Sequence, residues 1–148
     1  MLKIDDLKRF GIFSALNDNE LENIAEIVKQ EIYKKGRRIF QENSIAQNIY
    51  LVMSGDIEIR MRGADGKDMA IDAVGPGEVF GWSAVTEPHA FTAASYAMEA
   101  SEVFVVSGSV LRDLFKKNNH IGYKVMMKVA SVISQRLRSL NEKCVNLP

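Results

Sequence analysis

Apolar residues near the N-terminus recur at the spacing of a helix. Four of them would share one helix face: Leu21, Ile24, Ala25 and Val28. Such a repeat is typical of an amphipathic helix. Asn17 or Asp18 can cap it, since both side chains accept hydrogen bonds from the free backbone N–H groups of a first turn. We therefore predict a helix over residues 17–30.

The middle of the chain changes to the alternation of apolar and polar residues that half-buried strands show. The alternating stretches predict strands over residues 49–53, 57–61, 68–74, 91–99 and 102–106. Gly55, Gly66 and Gly77 lie in the breaks between strands, and glycine suits turns because it adopts positive φ without strain. About eight short strands at this spacing predict a small barrel or roll.

Helical periodicity returns after residue 107. Ser107 or Ser109 can cap a helix that carries Leu111 on its apolar face, and a longer helix follows over residues 121–142. One apolar stripe runs along the longer helix: Met126, Val129, Ile133, Leu137 and Leu140. The stripe has two interpretations. Either it packs on the chain's own strands, or it pairs with the same helix of a second copy.

The chain length of 148 residues suits one domain with a single core. We expect a helical lead-in over 1–30, a roll over 31–107 and C-terminal helices over 108–143. No apolar run approaches the roughly 20 residues that span a bilayer, and the acidic N-terminus does not resemble a signal peptide. The one cysteine, Cys144, can neither form an internal disulfide nor hold a metal ion alone. We therefore expect a cytoplasmic protein without a metal or a membrane partner.

Charge is unevenly distributed, although the formal net charge is zero. Residues 112–148 carry eight basic and two acidic side chains, whereas residues 1–111 carry 11 basic and 17 acidic ones. The basic tail is either a solvated helix face or a surface for a partner or a nucleic acid. Between Lys67 and Arg112 there is no lysine or arginine, and His89 is the one histidine of that stretch.

Five segments lie in the order and spacing of a known family: residues 11–16 (GIFSAL), 33–36 (YKKG), 49–55 (IYLVMSG), 75–81 (GPGEVFG) and 133–138 (ISQRLR). They resemble the cyclic-nucleotide-binding domain, in particular the effector domain of catabolite-activator-like and fumarate-nitrate-regulator-like bacterial regulators. The resemblance implies a mainly β fold with flanking helices. The expected fold is a double-stranded β-helix, or jelly-roll-like β-roll, with an N-terminal helix and a long C-terminal dimerisation helix. The resemblance also implies a homodimer and a small-molecule effector such as a cyclic nucleotide.

Two positions depart from that family's pattern. Ligand-competent members carry a glutamate that bonds the ribose hydroxyl and an arginine that pairs with the cyclic phosphate. Trp82 stands at the glutamate position and Thr92 at the arginine position. Because the stretch between Lys67 and Arg112 carries no lysine or arginine, we expect a cavity without a cation. We therefore also expect weak or no ordinary cAMP binding. The candidate cavity residues are Phe80, Gly81, Trp82, Ser83, Thr92 and Ala93.

These features favour a regulatory or sensory ligand-binding domain that signals through a dimerising C-terminal helix. Two alternatives stay open: the effector half of a transcription regulator, and a ligand-free dimerisation or partner-binding module. No helix-turn-helix pattern follows the long helix before Pro148, so we expect no direct DNA binding by this chain. The sequence carries no nucleophile–base pattern and no Walker-type phosphate loop, so we expect no enzyme activity.

Overall fold

The strands form two four-stranded antiparallel sheets, the layers of a jelly-roll-like roll. The computed structural model describes residues 2–147. In that range the strands are β1 (Val28–Tyr33), β2 (Arg38–Phe40), β3 (Asn48–Ser54), β4 (Ile57–Arg62), β5 (Asp68–Val74), β6 (Val79–Phe80), β7 (Ala94–Ala97) and β8 (Ser101–Ser107). One sheet has the order β1-β8-β3-β6 and the other β2-β7-β4-β5. The predicted mainly β fold with flanking helices is confirmed.

Helices flank the roll on both sides in the sequence. They are α1 (Ile4–Leu7), α2 (Asp18–Ala25), α3 (Gly108–Lys117) and α4 (Asn119–Val145), with 3₁₀ turns at Gly11–Phe13 and Trp82–Ala84. Ser107 caps α3, as one of the two predicted candidates, and its hydroxyl accepts from the Val110 N–H. The helix predicted over residues 121–142 extends further at both ends.

The first predicted helix is too long. The Asn17 side chain caps α2 by accepting from the Glu20 N–H at 2.9 Å, and Glu20 accepts from the Asn17 N–H in return. The helix ends at Ala25, however, and residues 28–33 form β1, which pairs with β8 over its whole length. Val28 therefore belongs to the sheet, because cross-strand pairing decides this β-branched position over its helical spacing.

The turn at Gly55 carries the chain from one sheet to the other. On its two sides β3 pairs with β8 and β6, whereas β4 pairs with β5 and β7. Gly55 has φ 108°, and a Cβ there would lie 2.6 Å from Ser101 Cα. By contrast, β4 and β5 form a hairpin, closed by a Gly63 N–H bond to the Lys67 carbonyl at 2.8 Å.

The strand predicted over residues 91–99 is shorter in the structure. Only residues 94–97 form β7. The backbone of Phe91 instead exchanges hydrogen bonds with the loop at Asn43 and Ser44, at 2.8 and 2.9 Å. Residues 91–93 are thereby held beside the strands without joining the ladder, and their side chains are available to a cavity.

The N-terminal helices and α4 pack together on one side of the roll. The Phe10 ring meets Phe104 of β8 edge to face, with centroids 5.8 Å apart. Lys124 of α4 bonds Glu20 of α2 at 2.8 Å, and Glu20 is largely buried. The Asn17 N–H bond, followed by Lys124, lowers the pKa of Glu20. These contacts attach the first half of α4 firmly to the roll.

We expect Gly55→Ala to lower the free energy of unfolding by about 2–5 kcal/mol. The substitution adds the strain of positive φ to the overlap with Ser101. Gly66→Ala is the matched control, since Gly66 has φ 81° but open space around its Cα, and it should cost only about 1–2 kcal/mol. Urea denaturation measures both variants, and equal losses would contradict the assigned sheet-to-sheet turn.

Candidate functional site

A cavity of about 250 Å³ opens between the second sheet, the Trp82–Ala84 turn and α4. Fourteen residues line it: Phe40, Ile59, Met61, Ile71, Asp72, Phe80, Gly81, Trp82, Ser83, Phe91, Thr92, Ala93, Arg136 and Leu140. The six residues selected from the sequence are all among them. The structure therefore brings the two separate stretches, 80–83 and 92–93, to one site.

Gly81 allows the chain to turn into this cavity. It has φ 78°, and a Cβ at this position would lie 2.9 Å from the Tyr50 ring and 3.3 Å from the Asn48 carbonyl. No other residue fits both the positive φ and the close approach. A short 3₁₀ turn starts directly after Gly81 and spans Trp82–Ala84.

Aromatic rings close the buried end of the cavity. Phe40 stacks on Phe91 with centroids 3.6 Å apart and planes 7° from parallel, and it tilts toward Phe80 at 6.0 Å. Phe80 and Phe91 are buried, whereas Leu140 and Met61 at the other end are exposed. The cavity thus has an aromatic, dry floor and a mouth beside α4.

The expectation of a cavity without a cation is wrong. Arg136 reaches the site from α4, far from the stretch that lacks basic residues. Its Nη2 donates to the Val79 carbonyl at 2.8 Å, and its guanidinium lies over the Trp82 ring with Cζ 4.6 Å from the centroid. Trp82 therefore packs across the site beneath a guanidinium and presents its remaining surface to the cavity.

Asp72 balances the charge of Arg136. The Arg136 Nε lies 3.4 Å from Asp72 Oδ2, and these two residues are the only charged ones that line the cavity among residues 2–147. Burial lowers the pKa of Arg136, which is 17% exposed, while the carboxylates of Asp72 and Glu78 oppose that shift. The cavity therefore contains a positive group whose charge is already matched.

Both C-terminal helices hold the Trp82–Ala84 turn. Arg112 of α3 donates a hydrogen bond to the Ala84 carbonyl, and Arg136 of α4 bonds the Val79 carbonyl just before the turn. His89, which does not line the cavity, lies 3.0 Å through Nδ1 from the Ser83 carbonyl. A displacement of this turn would therefore change its contacts with both α3 and α4.

The predicted apolar stripe on α4 divides into two parts. Val129 is fully buried in the chain's own core, and Met126 and Ile133 pack partly buried against it. Leu137 and Leu140 are exposed, and Leu140 borders the cavity. A row of exposed residues runs along α4 beside the predicted stripe and meets it at Leu137: Tyr123, Met127, Ala130, Ser134 and Leu137.

Sequence reasoning missed Arg136 because it considered only the stretch around residues 80–92. A signal was present: Arg136 follows Val129 by seven residues and Ile133 by three, which places a charged residue on the buried face of α4. Long charged side chains on such a face usually have a partner. The partner, Asp72, could not be identified from the sequence, since only the β5 register places it near α4.

The described residues, 2–147, form neither a membrane-spanning helix nor a metal-binding cluster. No helix there is both long and apolar enough to cross a membrane. No group of three or more histidine, cysteine, aspartate or glutamate side chains is arranged to hold a metal ion in that range.

Known proteins share this sequence pattern over most of the chain. A regulator of Mycobacterium tuberculosis described as a "CRP-like cAMP-activated global transcriptional regulator" is 21% identical over 141 residues, covering 95% of this chain and 61% of its own length. A "Cyclic AMP receptor protein" of Thermus thermophilus is 23% identical over 132 residues, covering 89% and 59%. The chain therefore spans about three-fifths of these relatives.

Solved structures and a family model agree with this likeness. A crystal structure of a protein from Geobacter metallireducens GS-15 superposes with a TM-score of 0.83 at 29% identity, covering 93% of this chain and 99% of the other. The family model described as "Cyclic nucleotide-binding domain" matches residues 30–118, which run from within β1 to the end of α3. The chain therefore belongs to the cyclic nucleotide-binding domain family.

Proposed function

We propose that this chain is a cytoplasmic regulatory domain that binds a small molecule in the cavity beside Trp82, binds ordinary cAMP weakly, and signals through α4. The proposal rests on one observation: the only guanidinium lining the cavity, that of Arg136, is already paired with Asp72. A buried phosphate needs a charge-assisted partner. In this cavity the Arg136 guanidinium would first have to separate from the Asp72 carboxylate.

The rest of the cavity lining supports this view. The family pattern of a glutamate and an arginine is replaced by Trp82 and Thr92, and eight of the lining residues carry large apolar side chains. The Ser83 and Thr92 hydroxyls can donate hydrogen bonds but carry no charge. An anionic ligand would therefore exchange water for a largely apolar surface with no net positive charge.

The relay to α4 would run through Arg136. This side chain contacts the Trp82 ring, the Val79 carbonyl and Asp72 at once, so it joins the cavity wall to the long helix. A ligand that moved Trp82 or attracted Arg136 would change these contacts. Arg136 directly precedes the exposed end of α4, residues 137–145. A change in the Arg136 contacts would therefore displace that end before the rest of the helix.

The exposed surface of α4 suits a second copy of this chain. Every residue from Leu137 to Leu147 is exposed, and Tyr123 and Leu137 are exposed by 67% and 58%. Helices outside a core are marginally stable alone. On one flank, the spacing of four and three residues from Tyr123 through Met127, Ala130 and Ser134 to Leu137 is that of a helix pair. We propose a symmetric homodimer through this flank.

A second candidate is ordinary cyclic-nucleotide sensing, and the position of Arg136 favours it. In that case the cyclic phosphate would displace Asp72 and take the guanidinium itself. The two candidates differ in affinity: the first expects cAMP binding weaker than micromolar at physiological salt, and the second expects micromolar binding or tighter.

The Asp72→Asn variant should bind cAMP roughly tenfold or more tightly than the native chain. The substitution keeps the shape of the side chain and removes the charge that competes for Arg136. Isothermal titration calorimetry at physiological salt gives both dissociation constants. Native micromolar affinity would replace the first candidate with the second.

Two variants control this measurement. Asp68→Asn makes the same charge change on the same strand, away from the cavity, and should leave the cAMP affinity unchanged. The double variant Asp72→Asn with Arg136→Gln should return to weak binding, because the freed cation is gone. If the double variant still bound tightly, Arg136 would not be the phosphate partner.

Leu137→Glu should convert the proposed dimer to a monomer. A carboxylate in an apolar helix pair is desolvated without a partner and faces its own copy across the symmetry axis. Sedimentation equilibrium at micromolar concentration measures the mass. Gln135→Glu adds the same charge to an exposed α4 position outside this row of residues and should leave the dimer intact. A native chain that sediments as a monomer would remove the dimer from the proposal.

A further inference from the structure

One buried hydroxyl in this chain has no hydrogen-bond partner. Ser95, in the middle of β7, is 0% exposed. Among residues 2–147 its Oγ is the one buried side-chain nitrogen or oxygen for which no protein atom lies within hydrogen-bonding reach. Buried polar atoms in folded proteins are nearly always paired, and leaving one unpaired costs free energy. Such an atom therefore needs an explanation.

The sheet register places Ser95 on the cavity side of β7. It pairs directly with Phe40 of β2 and with Ile59 of β4, and both of these residues line the cavity. Directly opposed residues of an antiparallel pair share a face. Tyr96, the next residue along β7, faces the other way, where its ring lies 4.2 Å beneath the Arg60 guanidinium. Ser95 is thus flanked on both sides by cavity wall.

A second buried serine shows what this fold ordinarily does with a hydroxyl. Ser101 is 1% exposed, donates to the Glu99 carbonyl at 2.9 Å and accepts from the Asp56 N–H at 3.2 Å. Its two bonds stabilise the turn at Gly55. Ser95 makes no such bond, so its hydroxyl adds nothing to the fold that alanine would not supply.

We infer that Ser95 is a hydrogen-bonding subsite at the buried end of the cavity, for an uncharged group on a mainly apolar small molecule. The inference rests on the proposed function of the cavity and names the ligand class. The surroundings are Phe40, Ile59 and the Phe91 ring that stacks on Phe40. None of these can compensate a charge, so a hydroxyl, a carbonyl or a ring nitrogen fits there and an ionic group does not.

The proposed ligand differs from a cyclic nucleotide because its polar group lies at Ser95 and not at the charged Arg136–Asp72 pair. The charged pair of Arg136 and Asp72 is at α4, whereas Ser95 lies in a strand flanked by apolar side chains. A planar apolar body would lie against the aromatic floor formed by Phe40, Phe80 and Phe91, with its single polar group at Ser95.

Phenol and toluene test this inference as a pair of similar size in which a methyl group replaces the hydroxyl. We expect Ser95→Ala to weaken phenol binding by about three- to tenfold, the effect of one neutral hydrogen bond, and to change toluene binding less than twofold. Chemical-shift titration reports both dissociation constants and identifies the site through the amide signals of Phe91 and Ala93.

Ser101→Ala is the control, because it removes a hydroxyl of equal burial that does have partners. It should leave the ratio of phenol to toluene affinity unchanged and lower the melting temperature. Ser95→Ala should leave the melting temperature unchanged or raise it, since it removes an unpaired polar atom. A loss of stability in Ser95→Ala comparable to that of Ser101→Ala would show a structural hydroxyl and overturn the subsite.

The outcomes separate the inference from the function beneath it. If both probes bind and Ser95→Ala leaves their ratio unchanged, the cavity still takes small molecules but the subsite is wrong. If neither probe perturbs the cavity signals up to millimolar concentration, the small-molecule function is wrong as well. If Ser95→Ala weakens cAMP binding more than phenol binding, the subsite serves a cyclic nucleotide and the assigned ligand class is overturned.

Discussion

The contact between Arg136 and Asp72 is the constraint on which the arrangement of roll and long helix depends. A guanidinium that is 17% exposed cannot remain there without compensation, and this one receives a carboxylate, the Val79 carbonyl and the face of the Trp82 ring. Each partner comes from a different part of the roll, at β5, β6 and the turn after it. One side chain therefore sets the position of α4 against three elements together.

The same contact sets the chemistry of the cavity. Within the residues that line it, the positive and the negative group cancel, and the remaining walls are mostly apolar. A family fold that elsewhere is associated with cyclic nucleotides here presents a site of low net charge. Specificity in such a site depends on shape and on single neutral hydrogen bonds. The unpaired Ser95 hydroxyl is therefore important in the proposed ligand site.

The long helix combines two environments in one element. Its first half carries Val125 and Val129 into the core, and its second half extends from Leu137 with every side chain exposed. Arg136 lies at the boundary between these halves. In the proposed relay, a change at the cavity would alter how the free half leaves the roll, while the buried half stays attached through the Lys124–Glu20 bond.

Local pattern by itself determined the elements that depend on near neighbours. The β4–β5 hairpin, the Asn17 and Ser107 caps and the extent of α4 follow from turn residues, capping side chains and helical spacing. The residues around Trp82 and Thr92 were also identifiable, because a family pattern preserves their order along the chain.

Only the tertiary structure decided the contacts between distant segments. It ended α2 at Ala25, since β1 pairs with β8, and it sent β3 and β4 into different sheets at Gly55. It also brought Arg136 to Asp72, across more than sixty residues, and placed the unpaired Ser95 hydroxyl on a strand between the cavity-lining residues Phe40 and Ile59. The physical reason is that periodicity states which side of an element is buried, whereas the groups it meets there depend on how all the elements pack.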